Sequence, residues 1–183
     1  GASKALWREG VGNNQRIQTM KDTYIGIDNG VSGAVVIMKG RDLVSQFLMP
    51  VRKVGKHNEL DVIEFSALMT KHVTWADVAC VVIEEPGGSQ NAAAASVMSG
   101  VFHALRAYME LYQRRWKRIT PQSWQNELLG KNREKGMTKA LALAAAQAKW
   151  PAHKWTATDR AVKPHEGLVD AALISEYGRI KGL

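Results

Sequence analysis

An α/β fold built on a mixed five-stranded sheet flanked by helices is predicted by three features of this sequence. Three β-rich runs near the start, Thr23 to Ile27, Ala34 to Met38 and Leu43 to Met49, are separated only by short turn signals, which makes an antiparallel meander. The most apolar short run, Ala79-Cys80-Val81-Val82-Ile83, lies between two segments of helical period, so it is a central strand reached by a crossover. A short fifth strand, Trp116 to Ile119, follows the longest helical segment, and strands joined through helices require parallel pairing in the sheet.

The elements follow in order. The first strand ends in Asp28-Asn29-Gly30, a good hairpin-turn sequence, and Lys39-Gly40-Arg41-Asp42 turns the second strand into the third. Pro50 closes the third strand, and Val51 to Asn58 is expected as a basic loop leading to a helix from Glu59 to His72, with Leu60, Ile63, Ala67 and Leu68 at helical spacing. The central strand stops at Glu84-Glu85-Pro86-Gly87-Gly88. A long helix over residues 91–113 carries two apolar stripes, Val97, Val101, Leu105 and Tyr108 beside Ala94, Met98, Phe102 and Met109, so it buries more than one face. Pro121 opens a helix containing Trp124 and Leu128, Lys131 to Gly136 is a charged loop, and Met137 to Lys149 is an Ala/Leu-rich helix stopped by Trp150-Pro151. A last helix runs from Glu166 to Tyr177-Gly178.

With 183 residues and an apolar fraction of 45 %, the chain fits one ordinary domain with a real core. The first residues, Gly1 to Thr19, show neither period and are expected to be an appended leader or disordered tail, with the domain starting at Met20. That leader supplies +2 of the formal net charge of +8, leaving a basic domain suited to a polyanionic partner. Cys80, the one cysteine, sits in an apolar run and excludes both a disulfide framework and a CxxC zinc site. No apolar stretch is long enough to span a membrane, and the chain is expected to be cytoplasmic.

Three carboxylates fall where folding alone gives them little purpose. Asp28 ends the first strand, Glu84 ends the central strand, and Asp170 lies inside the last helix between Val169 and Ala171. Neighbouring central strands would bring Asp28 beside Glu84, and Glu166 shares a helix face with Asp170 at i and i+4. Each acid also has a local explanation: a turn at Asp28, a solvated strand end at Glu84 or Glu85, an ion pair from Asp170 to Lys163, and a helix-dipole position for Glu166. Gathered together, four such acids repel one another unless they hold cations. An all-oxygen set suits Mg²⁺ or Mn²⁺ and disfavours zinc. Two such ions about 3.5–4 Å apart can stabilise both the attacking and the leaving oxygen in phosphodiester hydrolysis.

The segments "YIGIDNGVSGAVVIM", "VVIEEPGG" and "HEGLVDAALISEYG", in this order, resemble the RuvC family of Holliday-junction resolvases, especially its phage-type members. The resemblance runs from Tyr24 to Gly178. It implies an RNase H-like fold, a homodimer, and a crossover junction endodeoxyribonuclease acting in DNA recombination and repair, with Mg²⁺ or Mn²⁺ as cofactor, two ions per site. By position it implies that Asp28, Glu84 and Asp170 are metal ligands, with Glu85 the less favoured register of the glutamate. The family's fourth ligand stands one turn before Asp170, where this chain has Gly167; Glu166 reaches the same face, and His165 is the alternative. Lys135, in "NREKGMTKA", resembles the lysine that contacts the scissile region. The aromatic wedge that bacterial members carry after the glutamate has no counterpart in Pro86 to Gln90.

The resemblance thus implies paired cleavage of a four-way junction or related branched DNA, leaving 5′-phosphates and 3′-hydroxyls, by a dimer formed through the helix near 91–113. Basic clusters at Arg52, Lys53 and Lys56, at Arg114, Arg115, Lys117 and Arg118, and at Lys131, Arg133, Lys135 and Lys139 agree with a DNA partner. Trp116, Trp124, Trp150 and Trp155 have the chemistry to stack on bases, although core packing explains most tryptophans. Two alternatives use the same residues. "GIDNGVSGA" also resembles the first phosphate loop of actin-like and sugar-kinase-like phosphotransferases, whose second Asp-Gly loop has no counterpart in this sequence. A non-catalytic branched-DNA binder would leave the gathered acids without a purpose.

Overall fold

A computed structural model describes residues 21–88 and 91–183, so the expected leader lies outside the described residues. Its central sheet contains β1 (Thr23–Asp28), β2 (Ala34–Lys39), β3 (Asp42–Leu48), β6 (Val78–Glu84) and β7 (Trp116–Ile119) in the spatial order β3-β2-β1-β6-β7. β1, β2 and β3 pair antiparallel, whereas β1–β6 and β6–β7 are parallel, which is the mixed sheet expected from the sequence.

Strand alternation divides the core into two layers. Ile25, Ile27, Val35, Ile37, Val81 and Ile83 face one side, against α1 (Val62–His72) and α2 (Ala92–Leu111). Ala34, Val36, Cys80 and Val82 face the other, against α3 (Pro121–Leu129), α4 (Thr138–Lys149) and α5 (Glu166–Lys181). Cys80 is fully buried, as its apolar neighbours require.

Two local expectations are corrected. The segment expected as a basic loop and the start of a helix is instead a second small sheet, β4 (Val51–Val54) paired with β5 (His57–Leu60), and α1 begins only at Val62. Gly55, at φ 60, takes the first central position of a two-residue hairpin turn, a conformation that costs glycine nothing. Asp61 then caps α1 by accepting the Glu64 N–H at 3.0 Å. The second correction concerns Asn29-Gly30. Asp28 pairs with Ala34, so the loop has five residues, 29–33, and neither Asn29 nor Gly30 adopts the positive φ that a tight Asn-Gly hairpin demands. The turn is closed one step later, where the Gly33 N–H donates to the Gly30 carbonyl at 3.0 Å.

Helix α5 lies directly against the sheet. A Cβ placed on Gly26 would come within 2.0 Å of the Ala171 carbonyl oxygen and 2.5 Å of the Ser175 nitrogen. One placed on Gly178 would meet Val82 Cγ2 at 2.6 Å. The helix therefore packs backbone to backbone on β1, and ten of its residues are buried.

Candidate active site

The acids gather at the carboxyl ends of the parallel strands. Ile27 and Ile83 are register partners, so Asp28 and Glu84 are the next residues on neighbouring strands. Because Ile27 and Ile83 face the α1/α2 side, alternation turns Asp28 and Glu84 toward α5. There the first turns of α5 supply Glu166 and Asp170. Gly167 makes the close approach possible: a Cβ on it would lie 2.9 Å from Asp28 Oδ2 and 2.8 Å from the Ser32 carbonyl oxygen. The position where the resemblance places a fourth ligand thus has no room for a side chain, and Glu166 occupies the exposed edge beside it.

A cleft of about 760 Å³ opens over Asp28, Glu166 and Asp170, and its lining also includes the loop after Asp28, the start of α2, His57 and His165. Burial, then the charges of Glu84 and Glu166, push the Asp28 carboxyl from 3.8 up to about 7. Asp170 is raised to about 7 by burial and then by Asp28 and Glu166, with Lys139 opposing. Burial also raises Glu84 to about 7; the Trp124 N–H favours its ionised form and Asp170 disfavours it. Asp28, Glu84 and Asp170 are therefore uncomfortable as anions at neutral pH, for the same two reasons: poor solvation and neighbouring acids.

The remaining candidates separate. Trp124, 1 % exposed, donates its Nε1–H to Glu84 Oε2 at 3.0 Å, an orienting contact that no local sequence signal announces. Glu85 instead turns to Arg118, at 3.5 Å. His165 caps α5, its Nδ1 accepting the Leu168 N–H at 3.3 Å, which leaves Nε2 as its remaining ring nitrogen. Lys139, at the start of α4, reaches Glu166 Oε2 at 2.6 Å. Lys135 stands exposed in the loop between α3 and α4, so the lysine that the structure joins to the acids is Lys139. Lys163 forms no ion pair with Asp170 among the described residues.

The donor set can be tested against a divalent cation. All four acids offer oxygen, three are driven toward protonation by crowding and burial, and the buried Asn29 leaves both side-chain polar atoms without a partner in the same cleft wall. These features fit a hard cation. Among the described residues, no three His, Cys, Asp or Glu side chains form a ready-made metal cage.

The basic clusters are partly structural. Arg114 stacks over the Trp75 ring at 4.2 Å, and Arg133 is bonded to Asn126, Gln125 and the Gly130 carbonyl. Arg52, Lys53 and Lys56 ride on the exposed β4–β5 hairpin, whose His57 reaches the cleft wall, and Arg115, Lys117 and Lys131 are exposed. The tryptophans are packed: Trp124 and Trp155 are buried, Trp116 is edge-on to Phe102, and the Trp150 Nε1–H donates to the Arg41 carbonyl at 2.8 Å.

No protein-family model and no curated protein matches the sequence. Solved structures do. The chain is similar to Thermus thermophilus RuvC in complex with a Holliday junction substrate, with a TM-score of 0.60 and 15 % identity over 87 % of this chain and 96 % of that one. It is also similar to Thermus thermophilus RuvC alone, with a TM-score of 0.56 and 16 % identity over the same shares. The fold is that of an RNase H-like α/β protein with a mixed five-stranded sheet. Within that class it is the fold of the RuvC Holliday-junction resolvases.

Proposed function

We propose that this chain is a metal-dependent endonuclease that resolves four-way junctions or related branched DNA. The observation that carries the reading is the convergence of Asp28, Glu84 and Asp170, with Glu166 at the rim, at the carboxyl ends of β1 and β6 in a RuvC-like fold. These four acids would hold Mg²⁺ or Mn²⁺, two ions per site. Ions bound there supply Lewis-acid stabilisation to the oxygens of a phosphodiester. Trp124 holds Glu84 in place, Gly167 lets α5 approach Asp28, and Asp28 and Asp170 gain an attractive partner for charges that burial opposes. Lys135 and the exposed basic residues of the β4–β5 hairpin and of β7 would bind the DNA backbone.

Residues 20–183 would form one nuclease domain, working in the cytoplasm as a homodimer through α2, so that two sites act on symmetric strands. An exposed apolar groove between α1 and α2, containing Ile63, Ala104, Leu111 and Tyr112, supports that pairing. Among the described residues, no helix is long and apolar enough to cross a membrane.

Incubation of a synthetic four-way junction with Mg²⁺ or Mn²⁺ tests the reading. Paired nicks are expected from the wild-type chain, and none from Asp28→Asn or Asp170→Asn. Full cleavage by either variant overturns the site. Tight junction binding by the wild-type chain without cleavage in either metal would favour the pure binder.

A further inference from the structure

Four carboxylates meet at one end of the sheet, and among the described residues a single ion pair reaches any of them: Lys139 Nζ to Glu166 Oε2 at 2.6 Å. Both partners are largely exposed, at 75 % and 62 % of their side chains, so the pair is open to exchange. The hydrogen bond to Glu166, then the charges of Glu166 and Asp170, hold the Lys139 ammonium above its ordinary range. Lys139 and Lys163 also line a cleft of about 270 Å³ between α4 and α5, and its other wall includes Glu166 and Asp170. The acidic cleft and this lysine-lined cleft therefore share Glu166 and Asp170 as a common wall.

We propose that Lys139 is an exchangeable counter-ion: it neutralises Glu166 in the cation-free protein and turns to a backbone phosphate of the nucleic acid once a divalent cation takes Glu166. This rests on the reading of the four acids as a cation site. The reason is competition for one carboxylate. An ammonium and a divalent ion held by the same Glu166 carboxylate repel each other at close range, and the displaced lysine stays tethered at the first turn of α4. There it meets a phosphate that approaches the same acids. Cation binding and DNA binding then strengthen each other, and the coupling is reciprocal.

The test measures Ca²⁺ binding by calorimetry without DNA, and four-way-junction binding in Ca²⁺ across a salt series. Lys139→Ala is expected to bind Ca²⁺ several-fold more tightly than the wild-type chain. Lys163→Ala, which removes the same charge from the same cleft without breaking an ion pair, should change Ca²⁺ affinity less. In a Glu166→Gln background, Lys139→Ala should add nothing, which isolates the pair. On the junction, Lys139→Ala should bind more weakly and lose about 0.9 from the slope of log K against log salt, with Lys139→Arg restoring it. Unchanged Ca²⁺ affinity in Lys139→Ala overturns the counter-ion role, and an unchanged salt slope overturns the phosphate contact. In both cases the cation site itself stands as long as Asp28→Asn abolishes Ca²⁺ binding. A wild-type chain that binds neither Ca²⁺ nor Mn²⁺ overturns the site and the exchange together.

Discussion

The two faces of the central sheet are packed by different means. On the α1/α2 face, large side chains fill the space. Phe65, Met69, Leu105 and Met109 are fully buried, and the Phe65 and Tyr108 rings meet edge-on at 5.2 Å. On the α5 face, glycines bring backbone onto backbone at Gly26 and Gly167, and Gly178 lets the helix lie directly on the Val82 side chain. Side-chain packing leaves some freedom, because rotamers can adjust to a small shift of the helix. Backbone contact leaves almost none, since peptide groups have nothing to move. The acids depend on the rigid face: Asp170 and Glu166 belong to α5, and Asp28 and Glu84 are the strand ends turned toward it.

That contrast can be broken first at its tightest point. Gly26→Ala forces a methyl onto the Ala171 carbonyl and should cost at least about 3 kcal/mol, read as a lower midpoint in urea unfolding. Gly100→Ala, in α2 with open space around it, should instead stabilise by about 0.5–1 kcal/mol. Similar effects at the two positions would refute the distinction between the faces.

The next effect is electrostatic and belongs to the α5 face alone. In the folded chain Asp28, Glu84 and Asp170 titrate near 7, above their ordinary values of 3.8, 4.5 and 3.8. The folded state then holds protons that the unfolded state has released, so stability falls as pH rises from about 4 to about 7 and levels off above that. Thermal melts without divalent cation should show that decline, and Asp28→Asn should flatten it. Added Mn²⁺ should raise the wild-type melting temperature most at pH 8, where the acids are ionised, and should do little for the variant. A melting temperature that climbs from pH 5 to pH 8 without metal would contradict the raised values.

The smallest change in folding is expected on the outer side of the α1/α2 face. Ile63 and Leu111 are 80 % and 76 % exposed, so Ile63→Ser and Leu111→Ser should shift stability by less than about 0.5 kcal/mol. Their effect should appear in sedimentation, as conversion of the proposed dimer to a monomer. A chain that sediments as a dimer regardless of both changes does not pair through this groove.

The five strands of the central sheet and their crossovers were legible in the sequence, and so were the positions of Asp28, Glu84 and Asp170 at strand ends and within the last helix. Strand alternation and helical period are local patterns, and an acid that ends an apolar run stands out against them. The β4–β5 hairpin was not read from the sequence, because the basic residues around Gly55 concealed the strand pattern and made a loop the expectation. The remaining features follow from packing between distant segments. Trp124 is chemically an ordinary core residue until α3 places its N–H on Glu84. Lys139 is one of several lysines around one loop until α4 lies against α5. Gly167 shows why no side chain can stand three residues before Asp170, because the obstacle is Asp28 and the Ser32 carbonyl, both far away in the chain. Contacts between residues distant in sequence are set by how closely two backbones can approach, and no local pattern records that distance.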